Sequence, residues 1–186
     1  AQCAQYKRTG ITAGFEPAGG GYAEYVRVMP FVLPGIVRIP ARNTFLEGAM
    51  LEPVNTVLKA VERLSILPGD TVLVAGQGPI GLMFTRILAL RGINVIATDL
   101  LGSRLCIAQE FGAKWVWGSQ RQNESSHLVP PGGRAKKVTK SAPRKWATDS
   151  LARLVKRVTR EQGLDAAVIA VPLDSVVKEA LELLRG

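Results

Sequence analysis

Histidine and cysteine are nearly missing from these 186 residues: there is one histidine, His127, and there are two cysteines, Cys3 and Cys106, far apart and in no CxxC pairing. That scarcity excludes a disulfide scaffold and a self-contained zinc knuckle. Long hydrophobic runs are missing as well. No stretch approaches the roughly 18 apolar residues of a membrane span, and the first twenty residues hold Lys7, Arg8 and Glu16 but no apolar signal core. A soluble, cytoplasmic protein is expected. Several catalytic signatures are absent: there is no GxSxG elbow and no HExxH, and the glycine-rich loop of the chain lacks the lysine of a P-loop. His127 lies in a polar stretch and reads as solvent-exposed, while Cys106, between Leu105 and Ile107, reads as buried filler rather than a nucleophile.

What is present suits a globular domain. Hydrophobic residues make up 47% and charged residues 21%, too apolar for a disordered polymer. At roughly 150 residues per domain, the length allows one domain and an appendage. The net charge of +9 has a local origin: residues 134–160 carry ten Lys and Arg against the single acid Asp149, and elsewhere bases and acids cancel. A nucleic-acid or other anion-binding reading therefore rests on segment 134–160 alone, and there the bases come without interleaved aromatics apart from Trp146. A solvated face is the expected role, and nucleic acid is a disfavoured partner.

Along the chain, residues 22–28 alternate with period two and residues 36–39 form a second short apolar run, so two short strands are expected there. Thr44 and Glu47 have the spacing of a capping box, and a helical pattern runs on to about Ile66, with Pro53 expected to end one helix and start another. Residues 71–75 (TVLVA) are too short for a helix and suit a strand buried on both faces. A helix over 82–90, a strand over 94–99, a helix over 103–111 and a strand over 114–117 follow. Residues 118–150 break this rhythm with polar residues, prolines and lysines, and read as an insertion. A helix then starts at Asp149-Ser150, either of which can cap it, and is closed by Gly163, followed by a strand over 165–171 and a helix over 173–184. Strand and helix alternate, which implies an α/β fold with a parallel sheet and right-handed crossovers.

The sharpest motif is Gly76-Gln77-Gly78-Pro79-Ile80-Gly81, set between an expected strand and an expected helix. Each glycine has a physical task there. Gly76 makes the tight turn, Gly78 lets a pyrophosphate approach the backbone, and Gly81 permits close packing of helix on strand. Asp99 ends the next strand 18 residues after Gly81, where a carboxylate accepts hydrogen bonds from the adenosine ribose. A 2′-phosphate at about 4 Å from that carboxylate is repelled by a few kcal/mol at an effective dielectric near 20, so NAD is expected over NADP. Arg104 nearby softens the repulsion.

Gly20 to Tyr25, Glu47 to Pro53, Pro68-Gly69-Asp70, the glycine loop, Thr98-Asp99, Arg104-Leu105 and Phe111-Gly112-Ala113 together resemble the zinc-dependent medium-chain alcohol dehydrogenases, in particular the sorbitol and threonine dehydrogenase branch. The resemblance covers residues 1–117 and 163–186. It implies a Rossmann dinucleotide-binding domain (residues 44–186, with the insertion 118–150) preceded by the last β segments of a GroES-like catalytic domain (residues 1–43). It implies an NAD-dependent oxidoreductase that moves a hydride between an alcohol or polyol and nicotinamide, with zinc in the complete enzyme; the apolar strand 165–171, without the family strand expected beside it, leaves an open edge, so a homo-oligomer is expected. Carried over, Gly76, Gly78, Pro79, Ile80 and Gly81 contact the cofactor, and Asp99 and Arg104 lie at its adenosine end. Glu52 matches the family's position near the catalytic zinc, and Cys3 the end of its structural-zinc cysteine cluster. The upstream Cys and His ligands and the last strands of the family's nucleotide domain have no counterpart here. The chain thus reads as an inactive dinucleotide-binding fragment.

Overall fold

A computed structural model describes residues 23–28, 30, 32–118 and 150–186. The chain divides into two compact units, Ala1–Ala49 and Met50–Gly186.

In the first unit the described residues form no strand. A short 3-10 helix covers Leu33–Gly35, and α1 covers Phe45–Ala49. The strands expected over 22–28 and 36–39 are therefore corrected for the described residues. Alternation alone does not make a strand, because the ladder needs a neighbouring chain and the apolar side needs a surface to cover. Tyr25 is 91% and Val37 77% exposed, so neither requirement is met. The capping box does form: Thr44 N–H donates to Glu47 Oε2 at 2.7 Å, and Glu47 N–H to Thr44 Oγ1 at 3.2 Å. The Thr44 backbone N–H, followed by the side chains of Thr44 and Asn43, holds the Glu47 carboxyl below its usual range.

The second unit begins with α2 (Leu51–Arg63). The helical break falls at Met50 and not at Pro53, which lies within the first turn of α2. Its missing N–H costs nothing there, since first-turn donors have no partner inside the helix, and the first bond of the turn, Val54 N–H to Met50 O at 3.1 Å, bypasses it. Then come β1 (Thr71–Ala75), α3 (Pro79–Leu90), β2 (Asn94–Thr98), α4 (Gly102–Glu110), β3 (Trp115–Trp117), α5 (Leu151–Thr159), β4 (Ala166–Ile169) and α6 (Asp174–Leu183). The four strands form one parallel sheet in the order β3-β2-β1-β4.

Every residue of β1 is buried, as expected of a central strand with helices on both faces. Its side chains alternate between two cores. Val72 and Val74, with Val95 and Ala97 of β2, pack with Val57 and Val61 of α2, Phe84 and Leu88 of α3 and Ala108 of α4. Leu73 and Ile96 face the other way, onto Leu151, Leu154 and Val155 of α5 and Ala180 of α6. Fully burying one such aliphatic side chain is worth roughly 1.5–3 kcal/mol, so the alternation fixes the strand register and assigns each helix to its side. Ser150 caps α5 by accepting from Arg153 N–H at 3.3 Å. Gly163 does not close that helix, as its sequence position suggested. Arg160 ends it in a left-handed conformation (φ 55°), and Gly163 serves the turn into β4, where a Cβ would come within 2.8 Å of Arg185 N.

The chain runs from β1 to β2 and β3 on one side and then crosses back to β4 on the other. The order reverses beside β1. In open parallel sheets the crevice at the carboxyl ends of the strands flanking such a reversal is where ligands bind.

Candidate functional site

The glycine loop occupies that place. Gly76 follows the last residue of β1 with φ +93°, and its N–H donates to Thr98 O at the end of β2 (2.8 Å). A Cβ at Gly76 would lie 2.5 Å from Val171 Cγ1 and 3.0 Å from Ala170 O, so the loop is pressed against the chain just past β4. A Cβ at Gly81 would lie 1.8 Å from Gly76 O. The first turn of α3 therefore rests directly on the loop backbone. Gly78 differs: a Cβ there would have nothing within 4 Å. Its φ of −71° is open to any residue, so no folding requirement accounts for a glycine at this place.

Gly78 is the N-cap of α3, with Pro79 in the first helical position. The first-turn N–H groups of Ile80 and Gly81 have no carbonyl within the helix, and the first turn of α3 contains no acidic residue. First-turn N–H groups without a helical acceptor, the positive end of the helix dipole, no competing carboxylate and an open backbone approach at Gly78 together suit a phosphate group. Ile80, 44% exposed, lies beside this approach.

Asp99 follows β2, and its side chain is 6% exposed. Its Oδ2 accepts from Gln77 N–H at 2.7 Å and its Oδ1 from Leu101 N–H at 2.8 Å, and Arg104 Nη1 stands 3.6 Å from Oδ2. The carboxylate is thus a clasp between the glycine loop and the turn into α4. An ionised carboxylate offers about four acceptor positions, and backbone donors take two of them.

Gln77 is the residue that motif reading missed. Its side chain is fully buried and doubly bonded: Nε2 donates to Val74 O and Oε1 accepts from Thr85 Oγ1, both at 2.9 Å. The available signals were a long amide directly after an apolar strand and a threonine eight residues on, at the spacing that puts it on the inner face of α3.

The other expected site residues are not drawn into this hydrogen-bonded set. Glu52 lies exposed in the first turn of α2, where it accepts from Thr56 Oγ1 at 2.9 Å. Cys3, His127 and most of the basic segment 134–160 lie outside the described residues. Cys106 is a half-buried free thiol. Among the described residues no three Cys, His, Asp or Glu side chains come together as metal ligands, so these residues do not fit a zinc site, which needs about four donors with at least three from protein. At the opposite, amino end of the strands a polar cavity of about 270 Å³ is lined by Asp70, Thr71, Asn94, Thr159, Arg160 and Asp165, among others. Its carboxylates are already engaged, Asp70 by Leu67 N–H and Asp165 by Thr71 N–H and Arg185.

Sorbitol dehydrogenase from Bos taurus is 40% identical over 102 residues, which is 54% of this chain and 27% of that protein. The Gallus gallus sorbitol dehydrogenase is 42% identical over 93 residues, 50% of this chain and 26% of that one. Over the part that matches, the chain is similar to these polyol dehydrogenases. It spans about a quarter of the length of these sorbitol dehydrogenases. Among solved structures, the 2R,3R-butanediol dehydrogenase of Bacillus subtilis superposes with a TM-score of 0.60 at 23% identity, covering 80% of this chain and 35% of that one, a likeness of fold. No family model matches the chain. Among the described residues no helix is long and apolar enough to cross a membrane.

Proposed function

We propose that this chain binds NAD at the carboxyl ends of β1, β2 and β4, as the dinucleotide-binding part of an oxidoreductase acting on an alcohol or polyol. One observation carries the reading: Gly78 is a glycine with open space where its Cβ would be and an unstrained φ, at the N-terminus of a helix whose first turn is free of acids. Neither packing nor backbone strain requires that glycine. Close approach of a ligand does.

In this reading the N–H groups of Gly78, Ile80 and Gly81 receive the pyrophosphate, Pro79 sets the start of the helix without adding a donor, and Gly76 keeps the loop against the sheet. Asp99 and Arg104 border the adenosine end, Asp99 using its unoccupied lone pairs toward the ribose and disfavouring a 2′-phosphate. NAD supplies a hydride-accepting nicotinamide when bound. The chain's own residues bind and orient it. No step is assigned to Glu52 or to zinc, because the described residues offer Glu52 no companion ligand. The kinship with sorbitol dehydrogenases supports a polyol or secondary alcohol as substrate of the whole protein. A cytoplasmic location belongs to the same reading and accords with the free thiol of Cys106. So does self-association. β4 is the edge strand of the described sheet, paired with β1 on one side, and the single bridge between Leu164 and Leu184 lies before it and leaves its other side open to a second copy.

Fluorescence titration with NADH tests the proposal. Saturable enhancement of nicotinamide emission that is reversed by excess NAD is the expected result. A linear response identical to that of free NADH contradicts it.

A further inference from the structure

We infer that Gln77 is a positioning residue for the dinucleotide: its buried carboxamide, tied to β1 and to α3, holds the glycine loop in the shape that accepts a pyrophosphate. The inference rests on the dinucleotide reading above. Gln77 stands at the first variable place of the motif, where a pyrophosphate cradle needs no side chain at all. Yet the side chain is fully buried and both of its polar ends are paired, to Val74 O and to Thr85 Oγ1 at 2.9 Å each. Its backbone N–H reaches Asp99 Oδ2 at 2.7 Å. One residue thereby joins the loop to the strand before it, the helix after it and the end of the neighbouring strand.

Gln77 alone among the first three residues of the loop offers a side-chain tie. Gly76 and Gly78 have no side chains and are held through backbone alone, Gly76 N–H on Thr98 O at 2.8 Å and Gly78 O accepting from Leu82 N–H at 2.9 Å. Glycines at a loop apex sample many conformations unless held from outside. Apparent affinity falls in proportion to the fraction of molecules whose loop is already in the binding shape, so a loosened loop weakens binding even when no ligand contact is removed. Thr85 is fully buried in α3, and its hydroxyl serves the carboxamide.

The test compares the full 186-residue chain with Gln77→Ala, Thr85→Val, Thr85→Ser and the double variant Gln77→Ala/Thr85→Val. NADH affinity is measured by calorimetry at a temperature where circular dichroism shows each protein folded. Gln77→Ala and Thr85→Val are expected to weaken NADH about tenfold, the scale of losing one or two buried hydrogen bonds from the binding-ready state. The double variant loses no more than the worse single one, since both changes break the same tie, and Thr85→Ser, which keeps the hydroxyl, stays within about twofold of the parent. In the unliganded protein, amide exchange at Gly78 is faster in Gln77→Ala than in the parent. If Gln77→Ala does not fold, Thr85→Val, close to isosteric, decides the matter. NADH affinity unchanged in folded variants, with only a lowered denaturation midpoint, overturns the inference while leaving the dinucleotide reading intact. No NADH binding by the parent chain overturns the reading and the inference together.

Discussion

Asp99→Ala is the substitution whose effect the structure defines most closely. The carboxylate is 6% exposed, and each oxygen accepts a backbone N–H, from Gln77 at 2.7 Å and from Leu101 at 2.8 Å. Hydrogen bonds to a charged group contribute about 1.5–3 kcal/mol each, and a donor left unpaired in a buried setting costs a similar amount. Gln77 is buried and its N–H has no other route to water, whereas Leu101 is exposed and water can replace the lost partner. The Gln77 bond therefore counts nearly in full and the Leu101 bond only in part. Arg104 is 46% exposed at 3.6 Å and adds little, since exposed pairs are worth about 0–1 kcal/mol. The expected loss is about 2–4 kcal/mol, a large share of the stability of a small domain. Asp99→Asn retains one acceptor but turns an amide N–H toward the other donor, and should recover about half. Urea denaturation followed by circular dichroism measures both. A loss below about 0.5 kcal/mol for Asp99→Ala refutes the clasp and would leave Asp99 free to act on a ligand alone.

Other outcomes follow from the same geometry. Gly81→Ala places a Cβ at 1.8 Å from Gly76 O, and because both partners are backbone the helix must shift; a loss of about 3 kcal/mol or more, or failure to fold, is expected from the denaturation midpoint. Arg104→Ala should change stability by less than about 1 kcal/mol in the same assay, because its pair with Asp99 is half in solvent. The chain should bind NADH more tightly than NADPH by calorimetry, and equal affinities would mean that Asp99 does not face the 2′ position. Glu47 should titrate below its usual 4.5 in a carboxyl chemical-shift experiment, and Thr44→Val should move that midpoint upward. Since the folded value is the depressed one, the capping interaction is complete above the unfolded pKa and is lost as pH falls through the folded pKa.

Much of the second unit was legible because its signals are local and redundant. A threonine and four apolar residues, TVLVA, between turn residues can hardly be anything but a buried strand, and the glycine spacing after them fits one kind of strand-to-helix turn. The misread elements depend on partners or on exact register. Residues 36–39 form an apolar run suited to a strand but have no neighbouring strand among the described residues. Pro53 looks like a helix breaker until the helix start is known to lie only two residues earlier, at Leu51. Arg160 accepts a left-handed conformation that sequence statistics reserve for Gly163. In the site, the glycines announced themselves because their role is backbone shape, whereas Gln77 did not, since a buried amide is recognised by its partners and those lie on a strand and a helix. Asp99 was legible as an acid in the right place, but its inward clasp on Gln77 N–H depends on three-dimensional distance.

The most direct test of the dinucleotide site compares calorimetric NADH binding by the parent chain and by Gly78→Val. The added Cβ meets nothing within 4 Å in the protein and the backbone φ of −71° accepts it, so the variant should fold, with a loss of about 1 kcal/mol from the poorer N-cap. With the variant folded at the temperature of measurement, loss of binding reports the ligand's approach. The account predicts saturable binding by the parent and none by the folded variant. Equal NADH affinity in the two proteins would contradict it.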